Sequence, residues 1–302
     1  MENPLKHIYI YSCDFPEINF DALLGYVRGT FRDIEVERRK DFFTHSVSGI
    51  NSGLDILAGR LAGIKVLNPM KEGLNPDPIY GEIDHEKRKI LNPLSGAAGL
   101  FYDGIRLQSI LYPAIKKEEK VSGHLHIVIT DRLVVTWDDY DRRYHLRAGV
   151  FGQPSVISTS GIVEAPAKPR EFYILKQFAG SGDMDVAELK KRFNGRFIDY
   201  GDSRITGVMK GYLAQAIFYH ITGDPFCDDT GCRLFNAHWQ EEMIYAQIGS
   251  PYEFCERHKT IIEDYRIQIA KLENPLPSPF STCLPTGRKG EILLSPSLAK
   301  RG

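Results

Sequence analysis

The chain has 302 residues, 42% hydrophobic and 11% aromatic, which is ample for one large domain or two small ones. A balance of 38 basic and 39 acidic residues gives a formal charge of −1, which speaks against a general nucleic-acid binder or a protein held on an anionic membrane. The opening MENPLKHIYIYS lacks a leader pattern, no apolar run approaches a membrane span, and the five cysteines crowd toward the C-terminus; this predicts a reduced, cytoplasmic setting and metal binding rather than disulfides.

In chain order, residues 6–12 (KHIYIYS) read as a strand, with a loop at Pro16 and Asn19. Phe20, Leu23, Leu24, Val27 and Phe31 fall at helical spacing, and residues 33–38 alternate like a strand. This β-α-β opening predicts a mixed or parallel sheet crossed by a helix. A second amphipathic helix is expected over 52–67. Residues 68–95 carry four Asn-Pro or Asp-Pro steps, which push the preceding residues out of the helical region and predict mostly loop. A helix returns over 99–114, and residues 116–120 (KKEEK) read as a solvated charged turn. The whole of 68–120 reads as an insertion, a binding segment or a plain surface excursion.

Residues 124–137 (HLHIVITDRLVVTW) give the strongest strand signal in the chain. His124 and His126 alternate onto one face of it, either as two ligands or, more plainly, as a solvent-facing pair. Further strands are expected over 144–151, 154–164 and 171–175, with a turn at 158–161. A helix follows over 184–194, ending at Gly195. Ser203 is a candidate cap for a buried helix that ends at Thr222-Gly223. The last helix is expected over 252–272, and the proline-bearing tail 273–302, with Cys283, reads as irregular.

Between these last two helices lie Cys227-x4-Cys232 and, after 22 residues, Cys255-x2-His258. Two short chelating pairs joined by a longer segment can close a tetrahedral zinc site with no open position, hence a structural one. The competing reading is three buried free cysteines and an unrelated histidine. Against it, Asp-Asp-Thr-Gly between the first two cysteines is turn chemistry and poor core material. A second chemical candidate is His238-Trp-Gln-Glu-Glu242. On a helix, His238 would share a face with Glu241 or Glu242, and with His220 could form an open two-histidine, one-glutamate zinc site. Glu241 would then be the general base. The plainer alternative packs His238 near the structural zinc and leaves the glutamates solvated.

The stretch HITGDPFCDDTGC, residues 220–232, resembles the active-site region of the archaemetzincins, zinc metallopeptidase-like proteins of archaea and some eukaryotes. Their pattern is HExxHxxGxxHC, four residues, a second cysteine, x-Met, and later Cys-x2-Cys. His220 falls on the middle histidine, Gly223 on the glycine, Cys227 and Cys232 on the first two cysteines, and Cys255 and His258 on the last pair. Ala216, Ile217, Phe226 and Leu234 occupy the first histidine, glutamate, third histidine and methionine positions. The same residues resemble a further archaeal metallopeptidase-like family.

The resemblance therefore implies an α/β fold, a twisted mixed sheet with flanking helices, and a structural zinc, while the usual catalytic set is missing. The expected organisation is a single domain over 1–272 with an insertion at 68–120. The leading expectation is a cytoplasmic zinc protein that binds a peptide or protein partner; the alternative is a metallohydrolase using His220, His238 and Glu242, perhaps with a histidine of the 124–126 strand.

Overall fold

The β-branched and aromatic run at the start of the chain becomes the middle of a parallel sheet. In the computed structural model, the structure describes residues 4–47, 53–95, 99–179 and 186–273. Strand β1 (His7–Tyr11) is followed by α1 (Phe20–Thr30), whose first turn is capped by the Asn19 side chain accepting from the Ala22 N–H at 2.9 Å. Strand β2 (Glu35–Arg39) returns parallel to β1, as the β-α-β reading predicts.

Helices α2 (Phe42–Val47) and α3 (Gly53–Gly63), the two-residue β3 (Lys65–Val66), α4 (Tyr80–Leu91), β4 (Phe101–Asp103) and α5 (Gly104–Leu111) come next. The loop expected over 68–95 thus contains α4. The proline steps stop at Pro78 and resume at Pro93, and Glu82 reaches back to the Ile79 N–H at 2.9 Å to start the helix.

The long strand expected over 124–137 is two strands, β5 (His124–Thr130) and β6 (Leu133–Asp138), in different sheets. The break falls at Asp131-Arg132, where the Arg132 side chain turns inward, 2% exposed, to pair with Glu86. Likewise 144–151 divides into β7 (Arg143–Arg147) and β8 (Gly149–Val150). Strand β9 (Ser155–Ser158) ends where Ser158 caps α6 (Thr159–Glu164), so the expected β continuation is a helix.

The strand expected at 171–175 is part of helix α7 (Arg170–Ala179). Its β-rich composition is overridden because Phe172 and Leu175, three apart, pack into a small cluster with Leu189, Phe193 and Phe197. Helix α8 (Val186–Arg192) lies within the expected 184–194, of which Met184 and Asp185 are outside the described residues. Helix α9 (Ile205–Thr222) starts after Asp202, whose carboxylate accepts from the Arg204 N–H at 2.9 Å; the expected cap, Ser203, does not serve. Gly223, at φ +80°, closes α9 in a left-handed conformation that glycine adopts without strain. Helices α10 (Gln240–Ile244) and α11 (Glu256–Glu273) complete the order. The tail expected at 273–302, with Cys283, lies outside the described residues beyond Glu273.

The main sheet runs β2-β1-β5-β9-β8, parallel except for β8. The second runs β3-β4-β6-β7 and is mixed. One core lies on the face of the main sheet bearing Ile8, Ile10, Leu125 and Ile127, with Leu23 and Val27 of α1 and Leu213 and Ile217 of α9. A second core lies on the opposite face, where Tyr11, Val128 and Val156 meet α2, α3, α5 and Val134 of β6. Buried in that second layer, Glu86 receives Lys65 Nζ at 2.8 Å, Arg132 at 3.2 Å and the Tyr102 hydroxyl at 2.7 Å. The expected insertion 68–120 supplies this glutamate as well as β4 and α5. Among the described residues, no helix is long and apolar enough to cross a membrane.

Candidate metal centre

Helix α9 is buried nearly all round, so its end is a fixed point, and the loop that leaves it carries the first two cysteines. The Cys227 N–H bonds to the Leu234 carbonyl at 2.9 Å and the Asn236 N–H to the Cys227 carbonyl at 3.2 Å, closing residues 227–236 into a compact loop. Asp229 shapes its tip, accepting from the Gly231 N–H at 2.9 Å and the Tyr252 hydroxyl at 2.6 Å. Gly231 gives the Tyr252 side chain its place there, because a Cβ would fall 2.4 Å from the Tyr252 oxygen and make it shift. The Arg233 N–H donates to the Glu253 carbonyl at 2.9 Å, which draws the segment before α11 alongside the loop. Cys255 sits immediately ahead of α11, its carbonyl accepting from His258 and Lys259, so Cys255 and His258 share the first turn. The helix was expected to begin at Tyr252 and begins four residues later.

These contacts bring Cys227, Cys232, Cys255 and His258 together, with one ligand atom of each within 4.8 Å of the others. Cys227 and Cys255 sulfurs are 3.8 Å apart, and His258 Nδ1 stands 3.6 Å from Cys232 Sγ and 3.1 Å from Cys255 Sγ. Tetrahedral bonds of about 2.3 Å to sulfur and about 2.0 Å to nitrogen place ligands about 3.5–3.8 Å apart, so the set fits one zinc-sized ion. Phe218 packs edge-on to His258, with ring centroids 5.1 Å apart, and Phe254 closes the same side.

Burial pushes the Cys232 thiol up to about 12 and raises that of Cys227, while burial also holds His258 below its usual range. The imidazole is thus kept neutral, as a ligand must be. The thiols need a cation to offset the cost of ionising in this apolar setting. Backbone N–H groups of Cys255 and Leu234 beside the Cys232 sulfur favour its thiolate, and the Asp229 N–H donates to the Cys227 sulfur at 3.4 Å.

The second set of candidates is placed otherwise. His220, at the end of α9, has Nε2 2.6 Å from the Ser122 carbonyl and lines an open groove of about 500 Å³ with Gly152, Gln153, Tyr219 and Gly223. His238 is exposed and precedes α10, so it does not share a helix face with Glu241 and Glu242. Glu242 instead accepts from the N–H groups of His238 and Trp239, both at 3.1 Å, and so starts the helix. Glu241 pairs with Arg196 at 2.7 Å. Ala216 and Ile217 are fully buried in the first core, as is Leu234, whereas Phe226 is 38% exposed. Among the described residues, no other group of three or more metal-ligating side chains gathers as the cysteine–histidine set does.

The plain pairing expected for His124 and His126 is not what forms. His126 is fully buried, with Nδ1 3.1 Å from the Tyr11 hydroxyl and Nε2 3.2 Å from the Glu119 carbonyl. Glu119, expected on a solvated turn, holds Arg39 through both oxygens at 2.8 and 3.0 Å. Alternation predicted the shared face, but only the partners on β1 and β2 decide its burial.

An α/β chain with two mixed sheets and a cysteine–histidine cluster able to hold a metal ion is the class that fold and site define. Residues 4–265 match the family described as "Probable metallopeptidase family (DUF6775)", and the chain belongs to that family. No curated protein and no solved structure matches it.

Proposed function

We propose that the chain is a zinc protein of the cytoplasm in which Cys227, Cys232, Cys255 and His258 hold a structural ion, and in which the region corresponding to an archaemetzincin catalytic cleft binds a peptide without hydrolysing it. The ligand-atom separations carry the first part: four protein ligand atoms within 4.8 Å of one another are enough to fill a tetrahedral ion, which leaves no position for water or substrate. The family description favours zinc among the candidate ions.

The second part is supported by the helix that would bear the catalytic ligands. Its Ala216 and Ile217 are core residues, with neither a metal ligand nor a base for water at those positions. What stands beside them is the groove at His220, flanked by Phe151 packing against Tyr219 and Phe226 at ring distances of 6.2 and 6.1 Å. An open groove lined by Gln153, Tyr219, His220 and Thr222, with two glycines, suits an extended peptide.

The competing reading, a metallohydrolase using His220, His238 and Glu242, draws on the same family description. Elemental analysis of protein purified without added metal separates them. One zinc per chain, lost in Cys232→Ser, is the expected result. A second zinc that survives Cys232→Ser and disappears in His220→Ala would overturn the non-hydrolytic reading. No zinc in the parent protein would overturn the structural site.

A further inference from the structure

Three side chains lie in one row across the parallel sheet. His7 on β1 is the register partner of Glu35 on β2 and of His124 on β5. Register partners on parallel strands project to the same face, so the row is Glu35, His7, His124, at a rung spacing of about 4.8 Å. Glu35 Oε2 stands 3.1 Å from His7 Nδ1. A carboxylate can only accept there, so Nδ1 carries the proton and the lone pair of a neutral His7 sits on Nε2.

His124 lies edge-on to His7, with ring centroids 4.8 Å apart, and its Nδ1 is buried without a hydrogen-bond partner. The backbone under both rings is fixed: the His7 N–H bonds to the Gly123 carbonyl at 3.1 Å, and Gln153 Nε2 donates to the His124 carbonyl at 2.9 Å. Two imidazoles on adjacent rigid strands, one oriented by a carboxylate and the other with an unsatisfied nitrogen, are the parts of a metal chelate with an outer carboxylate.

We propose that His7 and His124 form a second metal site, a two-nitrogen chelate for a divalent transition cation that favours imidazole, with Glu35 as the positioning residue. It differs in kind from the cysteine–histidine centre. The His7 and Glu35 side chains are 35% and 81% exposed, so water completes the coordination and the ion exchanges with solvent. The inference does not rest on the zinc assignment, because none of its residues belongs to that centre.

The test is calorimetric titration of untagged, zinc-loaded full-length protein with Ni²⁺. One Ni²⁺ per chain is expected, with affinity at least a hundredfold weaker in His7→Gln and in His124→Gln. Glu35→Gln should weaken it about ten- to hundredfold, as loss of an outer carboxylate does. His238→Gln should change nothing. Circular dichroism checks that the variants stay folded. Absence of binding by the parent protein, or binding unchanged in both histidine variants, would overturn the site.

Discussion

Tyr11 and His126 share a hydrogen bond whose direction is dictated by their neighbours. Nε2 of His126 faces the Glu119 carbonyl and must donate, so Nδ1 accepts from the Tyr11 hydroxyl 3.1 Å away, while Arg39 donates to the same hydroxyl at 2.9 Å. Glu119, through its carboxylate, closes the ring back onto Arg39. A protonated His126 would present a second donor to Tyr11 and break that order.

Stability should therefore fall on acidification. Burial lowers the His126 pKa to about 4, from an ordinary value of 6.5. Its contribution is present above the unfolded value and is lost as pH falls from about 6.5 through about 4, because the unfolded chain takes up the proton first. Linkage gives about 2 kcal/mol lost between pH 7 and pH 5. Urea unfolding at both values should show this loss in the parent and not in His126→Gln; equal losses in the two would assign the effect to other groups.

Removing the proposed zinc should release α11. A chelator is expected to lower the melting temperature of the parent protein and to leave Cys232→Ser, already lowered, where it is. Structural zinc contributes roughly 10–16 kcal/mol of apparent binding energy in small zinc domains. The larger cores here should keep the rest folded, so far-ultraviolet dichroism should fall only in part. Parent and variant responding alike to the chelator would count against the four-ligand centre.

Gly231→Ala should cost about 1–3 kcal/mol, since its methyl must displace the Tyr252 side chain, whose hydroxyl oxygen its Cβ would meet at 2.4 Å. Tyr252→Ala removes the obstacle, so the double variant should be more stable than the sum of the singles predicts. Strict additivity in thermal melts would mean that the two residues do not touch in solution.

Glu86→Gln should be among the most damaging single changes, costing about 3–5 kcal/mol. Glu86 is fully buried between Lys65 and Arg132, themselves 4% and 2% exposed, and the change leaves two cations without their carboxylate. Denaturant unfolding measures it; a loss below about 1 kcal/mol would mean that water reaches the cluster.

The parts of the fold legible in the sequence are those with local signals. The β1-α1-β2 unit announces itself by period and by Asn19, and the cysteine–histidine cluster by the spacing of Cys227, Cys232, Cys255 and His258. The β3-β4 edge of the second sheet had no such signal, whereas β6 and β7 fell on expected strands. Strands β3 and β4 are two and three residues long and are defined by partners far along the chain. The break at Arg132 is written in Glu86, 46 residues earlier. Helix α7 was hidden because Phe172, Tyr173, Ile174 and Leu175 are the residues strands favour.

The contacts of α11 join the most distant parts of the described chain. Tyr265 meets the backbone of Leu5, just ahead of β1, and Arg266 holds the Thr30 carbonyl at 2.7 Å, at the end of α1. Strand β1 thus finds part of its surroundings in a helix some 250 residues further along the chain, and that helix begins at two of the four candidate ligands. The proposed ion could meet all four ligands only once the start of α11 has been made. Until then the first core lacks the wall that Ile261, Ile262 and Tyr265 supply, and its apolar surface stays open to solvent.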